Sequence, residues 1–579
     1  MRTVRLHRRA LIVVALCCLL CFMLVGRAVF SYGVEEGPAP YKRDVAVVPS
    51  RQLSANRLQA RNSPAPPSND LDTFKGDRRS DVHRPAPHVA PDTVQLHRQS
   101  VETRRPSTVA PRGRRRPVVS DIKPRKRRPS AASAQPHGAS SYPVLKRGKF
   151  IPINRVVHFD MKGAAPKVPY FREVFQFVKT LGATGVLLEW EDMFPYTGTL
   201  QVVRNSFAYS EAEVRQILEF AKEAQLDIIP LVQTFGHLEW ILKHQRFAHL
   251  RQVDRYPQVI CLGDEQAVAL VKTALDQVLA VHKDFAMPYF HIGADEAFQV
   301  GMCTADQELM QKKLENSRER LMLRHIAAIA QHVLKTIPNT KVLMWHDMLN
   351  NVDNAMMKEF KLGELVEPVV WNYAENLEDQ LYPDMWQRFG EVFPYIWGAS
   401  AYKGADGPSR YYSNVPHYLA NHVSWIDQMS NNYKSFRQFR GLILTGWQRF
   451  DHFAVLCEIL PVGLPSVAVN LMAIERGQYD RAMLTQVSKT LECSSTIDIE
   501  AMGVAGYCNF PGFKVYQGVQ QLRMAVAGME QNLLNDYQVH GWLSEFNQRH
   551  NYSNAWYLDQ ILEKIQTHLA DLESVCQTL

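Results

Sequence analysis

Pro288-Tyr-Phe-His-Ile-Gly-Ala-Asp-Glu-Ala-Phe298 is the stretch on which the reading of this chain turns. A short run of strand-forming residues (Tyr289, Phe290, Ile292) ends at a glycine and delivers two adjacent carboxylates, Asp295 and Glu296. In a parallel α/β protein the C-terminal end of a strand is where catalytic groups collect. Two ionised carboxylates side by side repel, so one tends to keep its proton near neutral pH, which supplies an acid and a base at one spot. The same pair would also suit the first turn of a helix, where acidic side chains complement the dipole. The rest of the chain chooses between the two.

Working outward, apolar runs of strand length recur at Asn154–Phe159, Gly185–Trp190, Asp227–Val232, Tyr289–Gly293, Lys341–Trp345, Pro368–Trp371, Pro394–Trp397 and Gly441–Thr445. They are near-continuously apolar, as strands covered on both faces are. Helical periods lie between most of them. Ser210-Glu-Ala-Glu213 reads as a capping box, and Ala267–His282 and Arg318–Lys335 are the strongest helices. Eight strand–helix units point to a (β/α)8 TIM barrel. An open doubly wound sheet is the alternative, but no glycine-rich phosphate loop follows the first strand.

Chemistry gathers at the expected strand ends: His158, Asp160 and Lys162; Glu189, Glu191 and Asp192; Gln233 and His237; His291, Asp295 and Glu296; Trp345, His346 and Asp347; Trp371, Asn372 and Tyr373; Trp397 and Tyr402; Trp447, Arg449, Asp451 and His452. One tryptophan at such a place is core packing. Four around one mouth (Trp345, Trp371, Trp397, Trp447) make an aromatic-walled pocket with a polar rim, which suits a sugar's apolar faces and hydroxylated edge. No HExxH or CxxC spacing occurs, so the reading includes no metal and no cofactor.

His291-Ile-Gly-Ala-Asp-Glu296 resembles the His-x-Gly-x-Asp-Glu signature of family 20 glycoside hydrolases, the β-N-acetylhexosaminidases. The resemblance is collinear over roughly residues 150–475, through Val157-His-Phe-Asp-Met-Lys-Gly163, Glu191-Asp-Met-Phe-Pro-Tyr196, Pro230-Leu-Val-Gln-Thr-Phe-Gly-His237, Leu444-Thr-Gly-Trp-Gln-Arg-Phe-Asp-His452 and Leu456-Cys-Glu458. It implies a barrel and a retaining hydrolysis of terminal β-linked N-acetylhexosamine in which the substrate's own acetamido oxygen is the nucleophile. Glu296 is then the general acid and base, and Asp295 orients the acetamido group. Trp447 is implied as the pocket floor, with Trp345, Trp371 and Trp397 as walls. Tyr373 and Tyr402 are equal candidates to donate to the acetamido oxygen. His237 supports the carboxylates, and His291 reads equally as their support or as a core histidine. Arg449 and Asp347 are candidates for sugar hydroxyls. Asp160, Lys162 and Glu191 read equally as rim groups or as a structural ion pair. Where the family often has a glutamate near the final tryptophan, this chain has Arg449.

The N-terminal quarter is of another kind. Arg2, Arg5, Arg8 and Arg9 precede an apolar run from Ala10 to Val25 that spans roughly 24 Å as a helix, so residues 1–30 read as a cytosolic tail and an uncleaved type II signal anchor, placing the head in the Golgi or secretory lumen. A cleaved signal peptide is the alternative. Residues 31–148, rich in Pro, Arg and Ser, read as a disordered stem. They hold 23 Lys+Arg against 10 Asp+Glu, so with the whole chain at +8 the body from residue 149 is acidic. The basic clusters could meet glycans or anionic lipid, but a lumenal chain meets no nucleic acid. The barrel is expected over 149–475 and a helical extension over 476–579, whose amphipathic segments Val515–Leu534 and Tyr557–Leu572 pack on the barrel or form a homodimer contact. Among the body's cysteines, Cys493 and Cys508 are close enough to bridge a loop. Asn551-Tyr-Ser553 is a glycosylation sequon. The anchor-and-stem layout also fits a Golgi glycosyltransferase, although no Asp-x-Asp motif sits at a strand end, and a glycan-binding protein without activity is the third reading.

Overall fold

The computed structural model describes residues 143–499 and 506–578. The expected anchor at residues 10–25 and the stem up to residue 142 lie outside these, and among the described residues no helix is long and apolar enough to cross a membrane.

Eight parallel strands close into a barrel: β1 (Asn154–Asp160), β2 (Gly185–Glu189), β3 (Asp227–Leu231), β4 (Tyr289–His291), β5 (Lys341–Trp345), β6 (Glu367–Trp371), β7 (Tyr395–Lys403) and β8 (Gln438–Gly446). Each pairs with its neighbours in sequence, and β8 closes on β1 with Gly441 opposite Asn154 and Leu444 opposite Val157. Helices between the strands cover the outside, and their starts are capped: Ser210 and Glu213 form the reciprocal capping box, Asp264 caps Glu265–His282, and Ser317 caps Arg318–Thr336. The inside is filled by Val156, Leu187, Ile229, Leu231, Leu343, Trp345, Val369, Trp397, Ala399 and Ile443. The barrel is therefore a packed core whose C-terminal mouth alone can hold a ligand.

Two expectations change here. The fold begins earlier than residue 149, because Val144–Lys146 pairs antiparallel with Lys149–Ile151 across an Arg147–Gly148 turn with positive φ at both residues. Strand β7 also runs well beyond Trp397. The small residues Gly398–Ala401 resemble a turn in sequence, but a Cβ at position 398 would come within 2.7 Å of the Trp425 ring from the helix Val415–Asn432. Trp397 thus lies deep in the barrel. It is fully buried, donates to Glu367 Oε2 at 2.9 Å, and shares that carboxylate with Arg440 (Nη2 to Oε1, 2.8 Å).

Of the C-terminal helices, Phe513–Met529 packs on the barrel, with Phe513, Tyr516 and Val519 buried and Tyr170 of helix Val168–Thr180 donating to Pro511 O at 3.0 Å, whereas Ala555–Thr578 packs on that helix.

With the bottom of the barrel resting on Trp397, the Trp397→Ala variant should lose about 3–5 kcal/mol of unfolding free energy, measured by urea titration.

Candidate active site

β4 ends at His291, and the chain then makes an abrupt turn with left-handed backbone at Gly293, Ala294 and Glu296. Such conformations persist at non-glycine residues only where the surroundings enforce them. The turn lays Asp295 and Glu296 into the barrel mouth. His237, itself at φ +50°, reaches the pair from the loop after β3, with Nε2 3.5 Å from Asp295 Oδ2 and 3.2 Å from Glu296 Oε2. The approach depends on Gly236, where a Cβ would lie 2.2 Å from Asp295 O. On the other side Asp347 takes the Glu296 N–H at 2.9 Å on one oxygen and the Trp371 Nε1–H at 3.0 Å on the other.

These carboxylates face a cavity of about 260 Å³, the scale of one small ligand rather than a chain. Trp345, Trp371, Tyr373 and Trp447 supply its aromatic surface. Trp371 stacks on Tyr373 with ring centres 5.5 Å apart, and Trp447 Nε1 donates to Tyr373 Oη at 3.2 Å. That bond uses Tyr373 as an acceptor, and Thr445 stands within hydrogen-bond reach of the same hydroxyl. Lys162, Glu189, Gln233 and Arg449 also line the cavity. Among the residues lining the cavity, Asp295 Oδ1, Gln233 Oε1, Trp345 Nε1 and Arg449 Nε are buried without a protein partner.

Residues 178–381 match the glycosyl hydrolase family 20 catalytic domain. Hexosaminidase D from Bos taurus is 42% identical over 344 residues, covering 59% of this chain and 97% of that protein. Hexosaminidase D from Homo sapiens is 38% identical over 430 residues, covering 73% of this chain and 87% of that protein. The chain belongs to glycosyl hydrolase family 20. It is a glycoside hydrolase. The solved structure of Flavobacterium johnsoniae chitobiase aligns at 14% identity over 65% of this chain and 56% of that one, with a TM-score of 0.46, a likeness that adds nothing to the two sequence relatives.

The family site carries an uneven distribution of charge. Burial, followed by the negative charges of Asp347 and Glu296, raises Asp295 to about 7 against the opposing pull of His237. Burial works against a charged His237, yet Asp295 and Glu296 hold its pKa up at about 10. His291 is pushed down to about 3 by burial. It accepts the Gly293 N–H on Nδ1 at 3.0 Å and does not contact the carboxylates by hydrogen bond, so it serves the turn rather than the pair.

Of the residues expected in the site, the structure brings together Asp295, Glu296, His237, Trp345, Trp371, Tyr373, Trp447 and Arg449 around the cavity. Trp397 does not join them, for the reason given above. Tyr402 is fully buried and its hydroxyl donates to His158 O at 3.1 Å. It lies one position off the inward parity of Trp397 and Ala399 on β7 and so faces the helices. Asp347 does not line this cavity. Both its oxygens are engaged within the protein, which makes it a brace between the Glu296 backbone and Trp371 instead of a hydroxyl ligand.

The Asp160–Lys162–Glu191 group is a buried ion cluster, and of the three only Lys162 lines the cavity. Lys162 Nζ lies 2.9 Å from Asp160 and 3.5 Å from Glu191, yet also lines the cavity 5.4 Å from the centre of the Trp447 ring. His452 bonds to Glu191 at 2.5 Å, and Arg449 Nη2 lies 3.0 Å from its other nitrogen. Burial raises Glu189 well above the carboxylate range in spite of Lys162.

Sequence reasoning missed Lys403 because β7 was expected to stop short of it. Lys403 is buried and donates to Trp447 O at 2.7 Å and Gln448 Oε1 at 2.9 Å. Glu458, in the Leu456-Cys-Glu458 motif, accepts from Gly404 N–H (2.8 Å) and Tyr418 Oη (2.9 Å). Burial lowers Lys403 to about 8, against the pull of Glu458 and Asp160. These bonds set the height of the pocket floor. Lys403→Met should raise KM roughly tenfold, the equivalent of one lost charged hydrogen bond to the floor, while kcat changes little. Steady-state kinetics on an aryl glycoside separate the two.

Proposed function

We propose that Glu296 and Asp295 carry out hydrolysis with help from the substrate's own acetamido group. The protein is a β-N-acetylhexosaminidase, and the observation that carries the residue roles is the adjacency of the two carboxylates in one turn. An ordinary retaining pair stands on opposite sides of the sugar, about 5 Å apart. Two neighbours in sequence serve one side only, so the nucleophile has to come from the substrate.

Glu296, the more exposed of the pair (33% against 9% for Asp295), faces the opening and gives its proton to the glycosidic oxygen. The acetamido oxygen attacks the anomeric carbon as that bond breaks, forming a cyclic oxazolinium. Asp295, ionised, accepts the acetamido N–H and balances the positive charge. Tyr373 donates its proton to the acetamido oxygen and holds it in line. Glu296, now a carboxylate, takes a proton from water, and the water oxygen bonds to the anomeric carbon on the face the leaving group vacated as the bond from that carbon to the acetamido oxygen breaks, so the acetamido group is restored and configuration is retained. Fixing an intramolecular nucleophile removes much of the entropic barrier. Trp447 supports the ring from below. With the anomeric carbon at β4 and the acetamido group at β5 and β6, the far side of the ring falls toward β8, β1 and β2. There Arg449, Lys162 and Glu189 meet the hydroxyls of a terminal GalNAc or GlcNAc.

Location forms part of the same reading: a type II membrane protein with its catalytic head in the secretory lumen. The basic-then-apolar segment at residues 2–25 supports it, as do the disulfides Cys261–Cys303 and Cys493–Cys508, which suit an oxidising compartment. Asn551 of the sequon is exposed. For the full chain made in secretory cells, the Asn551→Gln variant should lose an endoglycosidase-sensitive mass shift; an identical mass in both proteins would count against a glycosylated lumenal head.

Glu296→Gln should lower kcat by roughly 10³-fold while leaving the circular dichroism spectrum unchanged. Full activity in that variant would refute its role. The pH profile tests Asp295. Its ionised form is the active one and its pKa is about 7, so kcat/KM of the free enzyme should fall as pH drops below that value. His237→Gln removes the charge that opposes protonation of Asp295, so this acid limb should move to higher pH. A limb that stayed in place or moved down would mean that His237 does not set the ionisation of the pair.

A further inference from the structure

The loop after β7 walls the catalytic cavity through Gly404, Ala405, Gly407 and Pro408. It stands on the side of β8, where the far edge of the sugar falls. Gly404 and Gly407 have left-handed backbone, and residues 407–409 are exposed. Such a loop keeps one shape only where its surroundings hold it. Its start is fixed, with the Gly404 N–H on Glu458 and the Ala405 N–H on Tyr418 Oη at 3.1 Å. Its middle leans on the hairpin after β8, which the Arg449–Leu456 bridge closes. The contacts there are weak ones to sulfur, with Cys457 Sγ 3.8 Å from Gly407 O and 3.7 Å from Pro408 O.

The return of the loop is tied through Asp406. Asn414 Nδ2 donates to its carboxylate at 2.8 Å. Arg410 reaches the same carboxylate at 2.7 Å and the Asp406 carbonyl at 2.9 Å, and it also donates to Tyr412 Oη at 2.8 Å. The wall is thereby folded onto Tyr412, so the place of that ring helps to set the place of the wall.

Tyr412 is in turn held from outside the barrel. Arg523 lies on the C-terminal helix Phe513–Met529, one turn past Val519 and on the face that buries Tyr516 and Val519. Its guanidinium stands 4.3 Å from the centre of the Tyr412 ring. Arg410 is 5.0 Å from the same ring, with its charge already matched by Asp406. A cation over a phenol ring is drawn to the ring's quadrupole, and more strongly as water is excluded. Tyr412 and Arg523 are both half-buried.

We propose that Arg523 is a positioning residue of the sugar site, holding the far wall of the cavity through Tyr412. Its helix is then part of the catalytic unit, although it lies more than a hundred residues beyond the catalytic turn in sequence. The wall meets the sugar at the end away from the cleaved bond, so loosening it weakens binding and leaves the chemical step intact. This rests on the hydrolase reading above.

Steady-state kinetics of the full-length protein on an aryl β-N-acetylhexosaminide provide the test. Arg523→Ala should raise KM about fivefold, with kcat within about twofold of the wild type. Arg523→Lys keeps a cation over the ring and should recover most of that loss. Tyr412→Leu should raise KM at least as much as Arg523→Ala, and the Tyr412→Leu/Arg523→Ala double variant should be no worse than Tyr412→Leu alone, because both changes break one link. An unchanged KM in Arg523→Ala would overturn the proposal, and so would effects that multiply in the double variant. A rise in KM that lysine does not reverse, together with a lower melting temperature, would make the contact a structural one only and overturn it as well. Wild-type protein inert toward the glycoside would instead overturn the hydrolase reading.

Discussion

Two carboxylates on consecutive residues, turned together into one pocket, repel one another, and burial adds to the cost of a charge on Asp295. The cation of His237 is what makes the arrangement tenable, since it contacts both. Most of the mouth follows from the need to bring that imidazole in. The loop after β3 has to approach the Asp295 carbonyl closely enough that only Gly236 fits, the turn after β4 has to adopt left-handed backbone at non-glycine residues, and Asp347 has to hold the Glu296 amide from the far side. An arrangement with so many mutual requirements is preorganised. It meets the developing positive charge of an oxazolinium with groups already in position.

A second charge system on the opposite wall answers the first. Lys162 sits among Asp160, Glu189 and Glu191 with almost no exposure, and His452 ties Glu191 to the hairpin after β8. Buried ion networks of this kind add little to stability compared with well-packed apolar groups, but they do fix geometry when every member is paired. Here they hold the strand ends of β1 and β2 against the loop of β8, so the sugar's far side meets a wall as rigid as the catalytic one. The lower barrel is built differently. Trp397, Glu367 and Arg440 close it, which leaves the mouth free to be specialised.

Much of this was legible in the sequence because a strand buried on both faces leaves a continuous apolar run, and β1, β2 and β5 appear almost as read. The carboxylate pair was legible because its chemistry and its place at a strand end coincide. Strand β7 was not, since Gly398–Ala401 are small to make room for a helix rather than to form a turn. That one error of length carried two others with it. It put Trp397 at the mouth instead of in the barrel, and it hid the parity that turns Tyr402 toward the helices. Lys403 was missed for the same reason. The pairing of Cys261 with Cys303 was beyond reach, since spacing pointed only to Cys493 with Cys508 and the remaining thiols allow several pairings that it does not distinguish.

That last bridge has a bearing on wear. Cys261 and Cys303 are 42 residues apart and enclose β4 with both catalytic carboxylates in one covalent loop. Within it the turn after the helix Glu265–His282 exposes Lys283 and Asp284, the kind of site where proteases cut folded chains. A cut there leaves two pieces still joined through sulfur, with β4 paired to β3 and β5 and the cavity intact. In a protease-rich surrounding, an enzyme with that bridge can be nicked at this turn and keep its active site in one piece.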